Sequence, residues 1–173
     1  YQHDLGAAGY WSAALLLREL RHQVGTTTQN KSAAGMSVSG RYNLSPQTNL
    51  RGAFNYGDGI GRYIGLNLVN DAVIDTHGDL QPIEVKAGFL ALQHYWQPRL
   101  RSSVGLSFFQ ADPSTGTPML DLTTDARSAH LNLIYQLQPK LEVGAELTHA
   151  ERTRDDGAEG AMNRLQLSAK YSF

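Results

Sequence analysis

The chain has no cysteine, so disulfide staples and thiolate metal sites are absent and the redox compartment leaves no mark on the sequence. It also has no run of 18 or more apolar residues, which excludes a helical membrane span. Neither sign of charge dominates. The 15 Lys and Arg against 16 Asp and Glu leave a net charge of −1, so no global field points to nucleic acid, and what matters is which face carries each charge. At the start, Tyr1 is preceded by neither an initiator Met nor a basic, apolar signal segment; the expectation is a processed mature chain or a piece of a longer one. What is present is a chain of 173 residues, enough for one domain spanning residues 1–173. A mean hydropathy of −0.35 does not speak for a soluble protein, because a barrel strand needs only about ten alternating residues and escapes hydropathy windows.

Alternation is clearest at the end of the chain, where residues 162–173 read MNRLQLSAKYSF. Leu165, Leu167, Ala169, Tyr171 and Phe173 fall on one face, and Arg164, Gln166, Ser168, Lys170 and Ser172 on the other, as in a strand with one oily and one wet side. The segment resembles the C-terminal signal of outer-membrane barrels: polar Gln166, small Ser168, then Tyr171 and a terminal Phe173. A strand of a soluble β-domain would alternate as well.

Earlier segments repeat the pattern. Residues 10–24 fit a helical stripe or a strand; read as a strand, Trp11, Ala13, Leu15 and Leu17 face out, Arg18 faces in, and Leu16 and Leu20 are misfits. Residues 25–31 (GTTTQNK) read as a loop. Residues 32–44 and 50–56 form a hairpin around Ser45-Pro46-Gln47, with Tyr42 and Leu50 out and Arg41 and Arg51 in. Residues 57–83 form the longest connection. There the glycines at 57, 59 and 61 miss the dinucleotide fingerprint; Ile64, Leu66 and Leu68 alternate, and the strand is expected to run past the membrane edge, turn near His77-Gly78 and return. LALQHYWQPRL (90–100) aligns without a gap on LNLIYQLQPKL (131–141), which fixes a common face and places the Pro turns on one edge. Strands at 100–109, 127–137, 141–149 and 162–173, with loops at 111–125 and 154–160, bring the count to eight. Short Pro turns at one end and long loops at the other are the asymmetry of outer-membrane barrels.

The fold class expected is therefore all-β: an antiparallel up-and-down transmembrane β-barrel. In hydrocarbon, every backbone polar group needs a partner, so such a sheet must close. Tyr42, Trp96, Tyr135, Tyr171 and Phe173 gather at the Pro-turn edge as an aromatic girdle. Read together, SVSGRYNLSPQTNLR, YGDGIGRY, QHYWQPRLRSSV and NRLQLSAKYSF resemble the C-terminal half of DcaP-type porins of Gram-negative outer membranes, from about Trp11 onward. That resemblance implies a 16-stranded homotrimeric channel for small anions such as dicarboxylates. It also implies lipid and lipopolysaccharide around the barrel, assembly through the closing strand by the barrel-assembly machinery, no cofactor and no catalysis. With eight strands in hand, either the other half lies elsewhere or eight strands close alone into a packed small barrel with an adhesive, structural or enzymatic role.

The inward face would carry Arg18, Arg41, Arg51, Arg101, Arg164 and Lys170 against Glu142 and Glu146. Guanidinium groups in a narrow pore favour carboxylates through their planar fork. Arg41, Arg51 and Arg101 have no inward acid on their own strands and are the leading anion contacts. Arg164 and Lys170 run beside the glutamates, where cross-strand pairing competes, and Arg62 would project into the mouth. Lys86 and Arg127 fall on the lipid face, either touching lipid phosphates or snorkelling to water. Loop acids such as Asp58, Asp71, Asp75, Asp79, Asp155, Asp156 and Glu159 are expected to be solvated, with cation bridging as the alternative. Ser128 and His130 share the inward face, but no third partner is visible, so no catalytic or metal site is expected.

Overall fold

A computed structural model of the chain describes residues 1–64, 68–113 and 121–173. Eleven strands appear among them. They are β1 (Gln2–Asp4), β2 (Gly9–Val24), β3 (Thr27–Asn43), β4 (Thr48–Asp58), β5 (Ala72–Ile74), β6 (Leu80–Pro82), β7 (Glu84–Gln97), β8 (Leu100–Asp112), β9 (Thr123–Gln138), β10 (Leu141–Arg154) and β11 (Glu159–Tyr171). Nine form one antiparallel sheet in the order β1-β2-β3-β4-β7-β8-β9-β10-β11; β5 and β6 pair separately. Eight of the nine are long, from 11 residues in β4 to 17 in β3, at or above the 9–11 or so that a tilted strand needs to cross hydrocarbon.

Directly opposed residues share a face, so the register tests the alternation. Tyr42, Leu50, Leu92, Val104, Leu131, Leu147 and Leu165 are opposed in succession across seven strands, an unbroken apolar row. The expected outward residues lie on this face throughout, and nothing among the described residues covers it: Leu15 is 86% and Leu167 74% exposed. Left in water, each such leucine would forgo about 2 kcal/mol of burial, and the band far exceeds the apolar patch a soluble domain tolerates. Lipid is the solvent that suits it. The Pro turns sit on one edge, at residues 44–47, 98–99 and 139–140. The sheet is open, with β1 and β11 as its two edges, so these eight long strands do not close on themselves.

The strand reading of residues 10–24 holds, and the loop assigned to 25–31 is corrected. Gly25, at φ 58°, permits a turn between Val24 and Thr27, and the polar residues read as loop continue the ladder, with His22 opposite Gln29 and Leu20 opposite Lys31. Polarity there reflects a ladder rising above the apolar band.

The long connection is corrected too. Instead of extending, it leaves β4 through Gly59 (φ 64°) and folds back over the polar face. A side chain at Gly59 would meet Ala33 Cβ and Leu20 Cδ1 at 2.8 Å. Ile60, Ile64, Val69, Val73 and Ile83 pack with Val85, Ala87, Phe109, Ala111 and Leu122, and a second cluster joins Leu80 to Leu20 and Ala33. The two misfits are thereby explained: Leu20 is buried under Leu80, and Leu16 packs against the larger cluster. The turn at His77-Gly78 is present, with Gly78 at φ 85°. Leu66 and residues 114–120 of the next loop lie outside the described residues.

Candidate functional site

The polar face is the candidate pore wall, and its cations divide by the partner each one finds. Arg41 and Arg51 are directly opposed on β3 and β4. Arg41 Nε donates to Asn43 Oδ1 at 3.1 Å; Arg51 donates to Asn49 Oδ1 at 2.8 Å and to Gln93 Oε1 at 3.0 Å. Asn49, only 3% exposed, also donates to Gln93. Among the described residues no carboxylate lies within ion-pair distance of either arginine. Amide oxygens fix the guanidinium orientation without cancelling its charge.

The remaining cations are mostly compensated. Arg18 donates to Asp71 Oδ2 at 2.9 Å and to the Gly59 carbonyl at 3.0 Å, and lies 5.4 Å from the Tyr63 ring centre. Arg62 meets the same carboxylate through its backbone N–H, at 2.8 Å, and through its side chain. Asp71, expected in solvent, is instead buried between two arginines. Arg101 makes a fork to Glu142, at 2.8 and 3.0 Å. That acid comes from β10, two strands away, where reading each strand by itself could not find it. Arg164 approaches Glu146 at 3.9 Å, and Lys170 is opposed to Glu142 in the ladder.

Two features escaped the sequence reading. Arg152 is inward, opposed to Ala126 and Gly160, and no carboxylate among the described residues lies within ion-pair distance of it; the alternation carried two steps past residue 149 would have placed it. The Ser128–His130 pair does have further partners. Ser107 Oγ lies 2.7 Å from Ser128 Oγ, which lies 2.8 Å from His130 Nε2; Thr148 Oγ1 is 3.1 Å from the other ring nitrogen and Glu146 3.6 Å. The order resembles a serine nucleophile with its base. Yet β9 is hydrogen-bonded to β8 and β10 on both sides, so no backbone donor beside Ser128 is free to hold an oxyanion.

On the outer face Tyr42, Trp96, Tyr135 and Tyr171 flank the Pro turns, and Trp96 donates to Ser102 at 2.8 Å. Phe173 is fully exposed beyond β11. At the opposite edge Lys86 pairs with Glu84 at 2.8 Å and Arg127 with Asp125 at 3.2 Å. In the connection, Asp75 accepts the Asp79 and His77 N–H groups at 2.9 Å and the Gln81 amide at 3.0 Å. These donors, Asp79 first and Gln81 next, hold its carboxyl below the usual carboxylate range.

No protein-family model matches the sequence, and no curated protein matches it. Among solved structures the fold is similar to the outer membrane channel DcaP of Acinetobacter baumannii, with a TM-score of 0.79 and 20% identity over 96% of this chain and 47% of that one. It is also similar to the NanC porin, with a TM-score of 0.57 and 9% identity over 100% of this chain and 97% of that one. The chain thus spans less than half the length of the DcaP channel, and its open sheet has the fold of part of such a barrel.

Proposed function

We propose that the chain forms part of an outer-membrane diffusion channel, without catalytic activity, that passes small hydrophilic solutes and prefers anions such as dicarboxylates. The observation that carries the preference is the opposed pair Arg41 and Arg51, held by Asn43, Asn49 and Gln93 with no acid among the described residues. Like charges directly opposite each other in an antiparallel ladder destabilise one another. An anion between them relieves that repulsion, so the wall is built to favour one. The channel folds support the outer membrane as its place, with lipid and lipopolysaccharide against the apolar band. Assembly as a trimer and insertion through β11 by the barrel-assembly machinery belong to the same proposal. The open edges at β1 and β11 favour a larger barrel over an eight-stranded one without a pore. Reversal potentials of the full-length protein in planar bilayers test the reading: Arg41→Ala with Arg51→Ala should move selectivity toward cations. Cation selectivity in the native protein, untouched by the pair, would sink it.

A further inference from the structure

Beyond the Arg41–Arg51 pair, the polar face holds a second, chemically different hollow of about 730 Å³ that borders the folded connection. Its floor follows two neighbouring rows of the ladder. One runs Phe89, Ser107, Ser128, Ala150, Met162; the other runs Ala87, Phe109, Ala126, Arg152, Gly160. Phe89 and Met162 are 48% and 49% exposed, on a face where water-filled pores ordinarily carry polar groups. Ile64 and Leu68 of the connection add apolar surface from above. The two serines do not spoil an apolar floor, since their hydroxyls bond each other and His130, and a flat ring laid over them strands no donor.

Of the charged residues that line the hollow, Glu151 and Arg127 belong to the outward face, where Glu151 lies 3.2 Å from His149 and Arg127 pairs with Asp125; the inward charge is that of Arg152 and Arg164. Arg152 reaches into the hollow with no carboxylate among the described residues within ion-pair distance and with only Ala126 and Gly160 opposite. A side chain added at Gly160 would meet nothing within 4 Å among the described residues, so on this chain's side the guanidinium has room beside it. Arg164 lines the same hollow but is shared with Glu146, at 3.9 Å. An apolar cavity with a few convergent polar groups is the usual form of a small-molecule site, and a guanidinium fork at its rim selects a carboxylate.

We propose that this hollow is a binding subsite for aromatic monocarboxylates, with the carboxylate on Arg152 and the ring over Ala126, Ala150 and Met162. The inference rests on reading the polar face as a pore wall only for access; the binding does not need the channel to be anion-selective. The subsite is distinct from the Arg41–Arg51 pair, whose guanidinium groups are held by the amides of Asn43, Asn49 and Gln93.

The test is ¹⁹F line broadening of 4-fluorobenzoate titrated with the intact protein in detergent, each variant checked for heat-modifiable gel mobility. The neutral isostere 4-fluorobenzamide reports partition into micelles. Native protein should give saturable broadening with fluorobenzoate and only micelle-like broadening with the amide. Arg152→Gln should weaken binding about tenfold, while Lys140→Gln, which removes the same charge at a Pro turn, should leave it unchanged. Met162→Asn should weaken it several-fold, and decides the matter if Arg152→Gln does not fold. Equal saturation by the amide, native affinity in Arg152→Gln or in Met162→Asn, or no saturation at all overturns the subsite. Anion preference in bilayers without fluorobenzoate binding overturns this inference alone; binding without anion preference overturns only the proposed selectivity.

Discussion

Replacing Asp71 by Asn should release the connection from the wall while leaving the sheet intact. The carboxylate is buried, with Arg18 and the Arg62 backbone held at 2.9 and 2.8 Å. Breaking a buried pair by removing one partner costs about 3–5 kcal/mol because the other charge is left uncompensated. Here the lower end applies. Arg18 keeps the Gly59 carbonyl and the Tyr63 ring, while the Arg62 side chain, 61% exposed, contributes only the ~0–1 kcal/mol of a surface pair. A loss of ~3 kcal/mol corresponds to roughly a 150-fold change in the opening equilibrium. The reporters are the two amides that tie the connection to itself, Gly59 N–H to the Ile83 carbonyl at 2.9 Å and Ile83 N–H to the Asp71 carbonyl at 3.0 Å. Hydrogen exchange at both should accelerate by about two orders of magnitude, with amides of β8 and β9 unaffected. Exchange at Gly59 and Ile83 within about threefold of the native rate would show that apolar packing alone holds the connection, and the reasoning would fail.

Glu142→Gln frees the Arg101 guanidinium and should raise anion selectivity, whereas Arg101→Gln leaves the Glu142 carboxylate uncompensated and should lower it. In unfolding titrations the pair should show a coupling energy of about 0.5–3 kcal/mol by double-mutant cycle; additive losses would mean the fork does not form. Gly59→Ala combines a positive φ with a clash against Ala33 and Leu20; it should destabilise by about 1–3 kcal/mol, read as a lower urea midpoint, and an unchanged midpoint would refute the tight turn. Asp75 has its carboxyl pulled below the usual range by the Asp79 and Gln81 donors. Its contribution to the hairpin of β5 and β6 is therefore complete above the unfolded value of about 3.9 and disappears as pH falls through the lower folded value. Exchange of the Asp79 amide should accelerate only below about pH 4, and Asp75→Asn should remove that dependence.

Most of the sheet was legible because a strand in lipid is constrained on one face at every second residue. Leu131 and Leu90 could be matched through their Pro turns without knowing anything about the rest of the chain. The connection was illegible for the opposite reason. Arg18 and Asp71 are 53 positions apart, and no local pattern announces such a contact. Leu16 and Leu20 did carry a signal: an apolar residue on a wet face implies that something covers it, and the same holds for Val85, Ala87 and Phe109. The Arg101–Glu142 fork skips a strand, so it was invisible to reasoning about nearest neighbours, while Arg41 and Arg51, one hairpin apart, could be paired from the turn alone.

The division among cations has a consequence for how a solute would meet this wall. Arg18 and Arg62 are committed to holding the connection through Asp71, and Arg101 to Glu142; these charges shape the wall but offer little to an anion in transit. The inward arginines without an ion pair among the described residues are separated along the strands. Arg152 lies toward the long-loop edge and the Arg41–Arg51 pair nearer the Pro turns. An anion moving between the two edges would exchange one site for the next instead of settling in a single deep well, which is the condition for flux: attraction strong enough to enter, yet divided so that the solute can leave. Removing either station should therefore lower selectivity without abolishing conductance. Adding an acid beside Arg41, as in Asn43→Asp, should act like removing the station, because it replaces a neutral amide oxygen with a carboxylate at the same 3.1 Å contact.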